Sequence, residues 1–458
     1  DYMELLEQGI RSRRRGTLVR LEIGKNSDPD LLDFITNHLP VNPDDIYTKT
    51  TLQNHGAFWE IVGHKNFTHL MHKNYTPKIL PPFYGSENIF KALKKQDVLL
   101  FMPYESFDPV VNFILEATSD PEVLAIKITL YRVGANSPIV KALIEAANEG
   151  KQITAIVELK ARFDEANNLK WAKRLEQAGA HVIYGIVGLK IHAKIALVVK
   201  QSSEGVNRYV HLSTGNYNPS TAKLYSDFSF FTSDETIASD ATRFFHQITG
   251  FSKQRPLDKL ITAPDYMKPA ILQLIEQEES HGENGCIIAK VNALVDPDVI
   301  TALYKASRAG VQISLLVRGI CCLRPGVEGV SENIEVISIV GKYLEHVRAF
   351  YFHNNTPQIF FSSADWMPRN LLQRIEILTP INDPEIAQSI LDYLEVQLSD
   401  NVQAKKMQQN GEYKEVENNL SPVNSQHLME KYFNKASDAI RKNQKIRSKV
   451  NSKLLKGN

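Results

Sequence analysis

Short apolar runs alternate with amphipathic stretches along most of the chain. Apolar runs fall at 98–102, 124–131, 153–159, 181–184, 195–199 and 228–232. Each has the length of one strand, and helical periods lie between them. In the segment SPIVKALIEAANEG, residues 137–150, Ile139, Leu143 and Ala146 line one face before Gly150 ends the helix. Apolar strands interleaved with helices predict an α/β domain with a covered sheet over about 84–255. Before it, residues 18–23 predict a short strand and 29–37 a helix, and ILPPFYG marks a boundary with two prolines and a glycine. After about 402 the chain turns polar and rich in Lys, Asn and Gln. Its last helix-like stretch, KASDAIRKNQKIRSKVNSKLLK, predicts a solvated basic helix; a polyanion-binding tail is the sharper alternative.

The strand–helix order recurs between about 260 and 400. IVKALIEAANEGKQITAIVELK (139–160) aligns with VITALYKASRAGVQISLLVRGI (299–320). GIVGLKIHAK (185–194) aligns with SIVGKYLEHVR (338–348), and LSTGNYN (212–218) with FSSADWM (361–367). Three matches in one order point to a duplicated domain, although shared helix–strand grammar would account for any one alone.

Composition narrows the class. A chain of 458 residues is too long for one compact core and predicts two to three domains. It is 43% hydrophobic and 23% charged, with a net charge of +1. No global field points to nucleic acid or acidic lipid, so a polyanion site has to come from local clusters of Lys and Arg. The three cysteines, Cys286, Cys321 and Cys322, form no disulfide framework or metal spacing, which fits a reducing cytosol. No stretch is apolar for long enough to span a membrane. The opening DYMELLEQGIRSRRRG has no signal-peptide core and reads as the middle of a domain, so further sequence is expected upstream.

The candidate chemistry sits in IHAKIALVV, where His192 and Lys194 share one face of a predicted strand. A neutral imidazole can attack phosphorus, and an adjacent ammonium can neutralise phosphate oxygens. Alone, the pair is more often a core histidine beside a long lysine. The corresponding place in the second half holds His346 and Arg348. If the halves form a pseudo-dimer, two histidines and two cations converge. A turn of small residues follows each motif, HLSTGNYNPSTAKLYSD and FFSSADWMPRNLLQRIE, suited to phosphate oxygens or to an ordinary strand-to-helix turn.

These features resemble the phospholipase D superfamily, which joins two halves that each carry His-x-Lys and a small-residue turn. The chain departs from its hydrolytic members. The stretch after Lys194 is the aliphatic IALVV rather than one with an Asp, and Arg348 replaces the second Lys. A closer resemblance is to the polyphosphate kinase family of this type, carried by KITLYR (127–132), ELKARFDEANN (158–168), GLKIHAK (188–194), HLSTGNYN (211–218), YLEH (343–346) and SSADWMPRN (362–370). It covers about residues 1–400. The fold it implies is α/β, with two phospholipase D-like domains, each a mixed sheet flanked by helices, arranged as a pseudo-dimer. The expected divisions are a head-domain remainder at 1–80, catalytic domains at 81–258 and 259–402, and a polar, basic extension at 403–458.

Residue by residue, the resemblance implies that His192 becomes phosphorylated and that His346 is the second essential histidine, near the nucleotide phosphates. Tyr225 and Arg318 match nucleotide-contacting positions. Arg132 and Arg162 match positions tied to the magnesium–phosphate site; an arginine has no lone pair for a cation, so both are expected as phosphate clamps beside it. His211 matches a further family histidine for which a structural role is equally open. Lys194 and Arg348 are expected to neutralise charge beside the two histidines. The implied activity is reversible transfer of the ATP γ-phosphate to inorganic polyphosphate, with ATP/ADP as substrate and Mg²⁺ as cofactor. The implied partners are polyphosphate and further copies of the chain, without nucleic acid. The implied location is the cytoplasm, with peripheral association at the inner face of the membrane. A phospholipase D-like phosphodiesterase and a non-catalytic polyanion-binding module remain as alternatives.

Overall fold

The computed structural model describes residues 16–454 apart from 52–53, 87, 160, 162–163, 187, 204, 251–254, 355 and 417–419, and for 443–454 it describes the backbone helix alone. The chain divides into two compact units, with the boundary after Asn74.

In the first unit, strands Leu21–Gly24 and Ile46–Lys49 pair in parallel. The helix Pro29–His38 connects them. It starts where Asp28 accepts the Asp30 N–H at 2.9 Å and Pro29 presets the first turn.

The second unit, from Tyr75 onward, is built twice over. Its first sheet runs Tyr225–Thr232, Gly205–Ser213, Lys194–Ser202, Val123–Leu130, Gln152–Val157 and His181–Ile183, with Val98–Met102 also on Tyr225–Thr232. The second repeats that order as Arg374–Ile381, Gln358–Ser362, Ala349–Phe352, Cys286–Val291, Gln312–Val317 and Ile334–Ile339, with Ile261–Ala263 on Arg374–Ile381. The orientations repeat too. Val123–Leu130 and Cys286–Val291 are each parallel to the strand after the next helix, and each is antiparallel to the strand that follows a histidine. The helices Pro138–Asn148 and Pro297–Arg308 are equivalent, each opened by a capping Ser137 or Asp296 and a proline. The α/β pseudo-dimer read from the sequence is the architecture observed.

The halves exchange short strands. Lys190–Ile191 of the first half pairs with Arg374–Ile381 of the second sheet. Leu344–Glu345 of the second half pairs with Tyr225–Thr232 of the first. One apolar core joins both halves, with Phe228, Ile195 and Leu212 of the first packed in the same cluster as Phe361, Ile375 and Tyr351 of the second.

The polar C-terminal region is more tightly integrated than its composition predicts. Ala404–Met407 extends the second sheet beside Ile334–Ile339. The first turns of the helix Ser425–Leu454, ahead of the basic stretch that begins at Lys435, are docked, with Met429 and Phe433 buried and Phe433 stacked 5.8 Å from Tyr104. Two apolar side chains four residues apart are enough to bind one helical face.

Candidate active site

Each candidate histidine sits where its chain crosses from one sheet to the other. His192 follows Lys190–Ile191, bound to the second sheet, and precedes Lys194–Ser202 in the first. The N–H groups of His192 and Ala193 both donate to the Ile375 carbonyl at 2.9 Å. His346 makes the mirror-image crossing, and the neighbouring Leu344 N–H donates to the Leu224 carbonyl at 2.8 Å. Duplication with exchanged strands therefore brings both motifs to the seam.

Each imidazole is then held by a carboxylate of the opposite half. His192 Nδ1 lies 2.9 Å from Glu376 Oε2, and His346 Nδ1 lies 2.7 Å from Asp227 Oδ1. The small-residue turns hold these acids. Thr214 Oγ1 donates to Asp227 at 2.6 Å, and its counterpart Ser363 donates to Glu376 at 2.5 Å. Asn370 donates to the other oxygen of Glu376 at 2.7 Å. A carboxylate on Nδ1 fixes the proton there and leaves the Nε2 lone pair outward.

The two ends differ beyond that point. Arg348 forks onto Asp365 through Nε and Nη2, both at 3.1 Å, and its Nη1 lies 3.1 Å from His346 Nε2. The same Nη1 lies 3.4 Å from His346 Nδ1 and donates to the His346 carbonyl at 2.9 Å, so the guanidinium, already paired with Asp365, covers the face of the ring. At the other end, no described residue bonds His192 Nε2. Lys194 is 2% exposed and donates to the His192 carbonyl. Among the described residues it has no ion-pair partner. The position that corresponds to Asp365 is Asn216, a neutral residue whose Oδ1 is buried without a partner.

The electrostatics follow. Burial, then Lys194, Arg374 and Arg348, push the His192 pKa well below the usual imidazole value. Burial and Arg348 lower that of His346, against the pull of Asp227. Burial raises Glu376 to about 7 against the pull of Lys194, and burial lowers Lys194 to about 7 against the pull of Glu376. Both imidazoles are therefore neutral near pH 7.

Of the other expected residues, Tyr225 stands beside His346 with ring centroids 5.2 Å apart. Arg318 Nε donates to Asn292 Oδ1 at 3.0 Å, and Asn292 donates in turn to Asp365 and to the His346 carbonyl. Tyr225, Arg318, His346 and Arg348 thus form one cluster. Arg132 stacks on Tyr131, 5.4 Å from its centroid, and Tyr131 meets His192 edge-on at 5.1 Å. Arg162 lies outside the described residues. His211 stands apart. It is fully buried against Phe113 and Phe231, with Nδ1 2.9 Å from the Tyr217 hydroxyl, and burial pushes its pKa down to about 3.

No three His, Cys, Asp or Glu side chains among the described residues gather to hold a metal ion. Arg132 supplies donors only. These residues do not fit a protein-held Mg²⁺ site, and a magnesium ion would enter as the counter-ion of a substrate's phosphates.

Comparison with known proteins shows the family. Family models described as polyphosphate kinase middle domain, C-terminal domain 1 and C-terminal domain 2 match residues 1–61, 88–254 and 260–426. The chain is 51% identical over 460 residues to a polyphosphate kinase of Campylobacter jejuni subsp. doylei, covering 100% of this chain and 66% of the relative. It is 48% identical over 443 residues to one of Helicobacter pylori, covering 94% of this chain and 65% of the relative. The chain therefore spans about two thirds of the length of these curated relatives. A crystal structure of polyphosphate kinase from Porphyromonas gingivalis superposes with a TM-score of 0.83 at 34% identity, over 92% of this chain and 65% of that one.

Proposed function

Because this chain belongs to the polyphosphate kinase family, we propose that it transfers the γ-phosphate of ATP reversibly to inorganic polyphosphate through a phosphohistidine at His192. The asymmetry of the two imidazoles carries this reading. Both are oriented by a carboxylate on Nδ1, but the face of His346 is covered by Arg348 Nη1, 3.1 Å from Nε2 and 3.4 Å from Nδ1, whereas no described residue bonds His192 Nε2.

In the forward direction the Nε2 lone pair of His192 attacks the γ-phosphorus. The N–P bond forms, the P–O bond to the β-phosphate breaks, and its electron pair leaves with ADP. The Nδ1 proton stays on the imidazole, donated to Glu376, whose charge offsets the cation that develops on the ring. The terminal oxygen of polyphosphate then attacks the same phosphorus, and the N–P bond returns its electrons to Nε2. Phosphoryl transfer needs positioning and charge neutralisation more than proton transfer. Lys194, with no hydrogen-bonded ion-pair partner among the described residues, supplies the cation beside the nucleophile, and Arg132 adds a clamp one ring away. At the other end, Tyr225, Arg318 and the His346–Arg348 pair face the nucleotide as donors and stacking surface. A neutral His346, held on Nδ1 by Asp227 and covered on one face by a guanidinium, acts there as a fixed hydrogen-bonding group rather than as a proton store.

Mg²⁺ is proposed as part of the nucleotide substrate. No helix of the described residues is long and apolar enough to cross a membrane. A cytoplasmic site of action, homo-oligomers and peripheral membrane contact are carried over from the family resemblance.

Incubation with γ-labelled ATP and Mg²⁺ tests the reading. Acid-labile, alkali-stable label is expected on the protein, lost in His192→Ala and chased by added polyphosphate. Label that survives in His192→Ala would sink the assignment.

Gly215 gives a second test. A Cβ there would stand 2.5 Å from Asp227 Cγ, a distance that forces the carboxylate to shift. The equivalent residue is Ala364, tolerated because the longer Glu376 sets its carboxyl farther from the chain. Gly215→Ala is expected to fold yet lose about a hundredfold in polyphosphate synthesis, since displacing a positioning group by about 1 Å costs that much. Steady-state rates beside a thermal melt check it, and an unchanged rate would contradict the role given to Asp227.

A further inference from the structure

The carboxylate next to His346 gathers more donors than any packing role requires. Glu345 is 2% exposed. Its Oε2 accepts from Lys290 Nζ at 2.8 Å, Gln397 Nε2 at 2.8 Å, Ser226 Oγ at 2.9 Å and Tyr393 OH at 3.3 Å, and its Oε1 accepts from Gln426 Nε2 at 2.7 Å. Burial would raise its pKa, but Lys290 and the amide donors outweigh burial and hold it below the usual value. A buried ion pair of this kind costs desolvation that an apolar pair would avoid.

The donors come from separate elements that meet at the seam. Ser226 precedes Asp227, and its Oγ also accepts the His346 N–H at 3.0 Å. In the parallel register Ser226 stands opposite Glu345, so Asp227 and His346 are the next residues along. A shift of Glu345 therefore moves both members of the His346–Asp227 pair.

Gln426 brings in the C-terminal helix. Its amide accepts the Tyr343 N–H at 3.0 Å and donates to the Tyr343 carbonyl at 2.9 Å as well as to Glu345. One turn on, Glu430 accepts from Lys342 at 2.6 Å and from the Tyr343 hydroxyl at 2.5 Å. The first two turns of the helix thus clamp residues 342–345.

We propose that Glu345 is a positioning residue for His346, and that through it the docked helix Ser425–Leu454 sets the orientation of the imidazole at the nucleotide end of the site. The functional part rests on the kinase reading above, whereas the positioning part rests on geometry alone.

Gln426→Leu removes one donor to Glu345 and the side-chain bridge to Tyr343 without stripping Lys290 of its partner. Gln397→Leu removes a donor from a different helix and stands in should the first variant not fold. Two readouts separate positioning from stability. Nitrogen NMR of labelled histidines reports the Nδ1–H of His346, which is expected to shift toward a solvent-exchanging imidazole in either variant. Rates of His192 labelling from ATP are expected to fall about ten- to a hundredfold, with no further loss when Gln426→Leu is added to His346→Ala. An unchanged His346 signal together with additive losses would overturn the proposal. If the parent chain takes no label, the kinase reading fails, and the NMR result decides the positioning claim by itself.

Discussion

Glu376→Gln is expected to lower phosphorylation of His192 by about a thousandfold while leaving the fold intact. The substitution keeps shape and most hydrogen bonds. The carbonyl oxygen can still accept from His192 Nδ1 and Ser363, which share one oxygen of the carboxylate. The new amide N–H would face Asn370, whose buried Oδ1 has no partner. An end-over-end turn of the Asn370 amide supplies the missing acceptor. What disappears is charge. Attack by Nε2 makes the imidazole cationic in a pocket where Lys194, Arg348 and Arg374 already disfavour a cation. Glu376 is the anion within hydrogen-bonding distance of that ring. Its pKa adds a signature. Burial raises it to about 7, so the carboxylate is lost as pH falls through that value. The unaltered chain should show labelling that declines on the acid side of about pH 7, and the glutamine variant should not. Pre-steady-state labelling from ATP across pH measures both effects. A variant that labels at the parent rate would remove Glu376 from the mechanism.

Much of this architecture was legible because it was written twice. The match between residues 139–160 and 299–320 predicted the repeated helix–strand unit, and the paired motifs around His192 and His346 predicted the seam. Glu376 and Asp227 stood in plain sight as the last residues of the two turn segments, yet neither drew a role. A lone acid ending a small-residue turn has no local pattern, and each acts on a histidine 184 or 119 residues away. The signal available was symmetry, since each half ends its turn segment with a carboxylate at the same offset. The docked helix was missed for a different reason. Gln426, Met429 and Phe433 are three residues in a long polar run, and the partners that bury them, such as Tyr104 and Glu345, come from remote parts of the chain. His211 shows the converse, for a histidine inside a family motif packs as a neutral core residue.

Lys194→Met should reduce His192 phosphorylation on the order of a hundred- to a thousandfold, the usual cost of removing a preorganised charge-stabilising group. Arg348 cannot substitute for it, because Asp365 already forks onto that guanidinium. Lys194 has only Asn216 at the corresponding position, so its charge is available to a phosphate. The same isolation gives a proton signature. Burial, which outweighs the pull of Glu376, lowers the Lys194 pKa to about 7. An arriving phosphate adds a negative charge closer than Glu376 and raises it toward the ordinary lysine value of about 10.4. The bound state then holds a proton that the free state lacks at pH values between those limits. Binding of tripolyphosphate at about pH 8 should therefore take up close to one proton, and affinity should weaken by up to about tenfold per pH unit above 7. Calorimetry in two buffers of different ionisation enthalpy measures the uptake directly. In Lys194→Met the buffer dependence should vanish along with most of the pH dependence. Heat that is independent of buffer in the unaltered chain would mean that Lys194 is already charged before phosphate arrives, and the asymmetry between the two ends would then rest on the imidazoles alone.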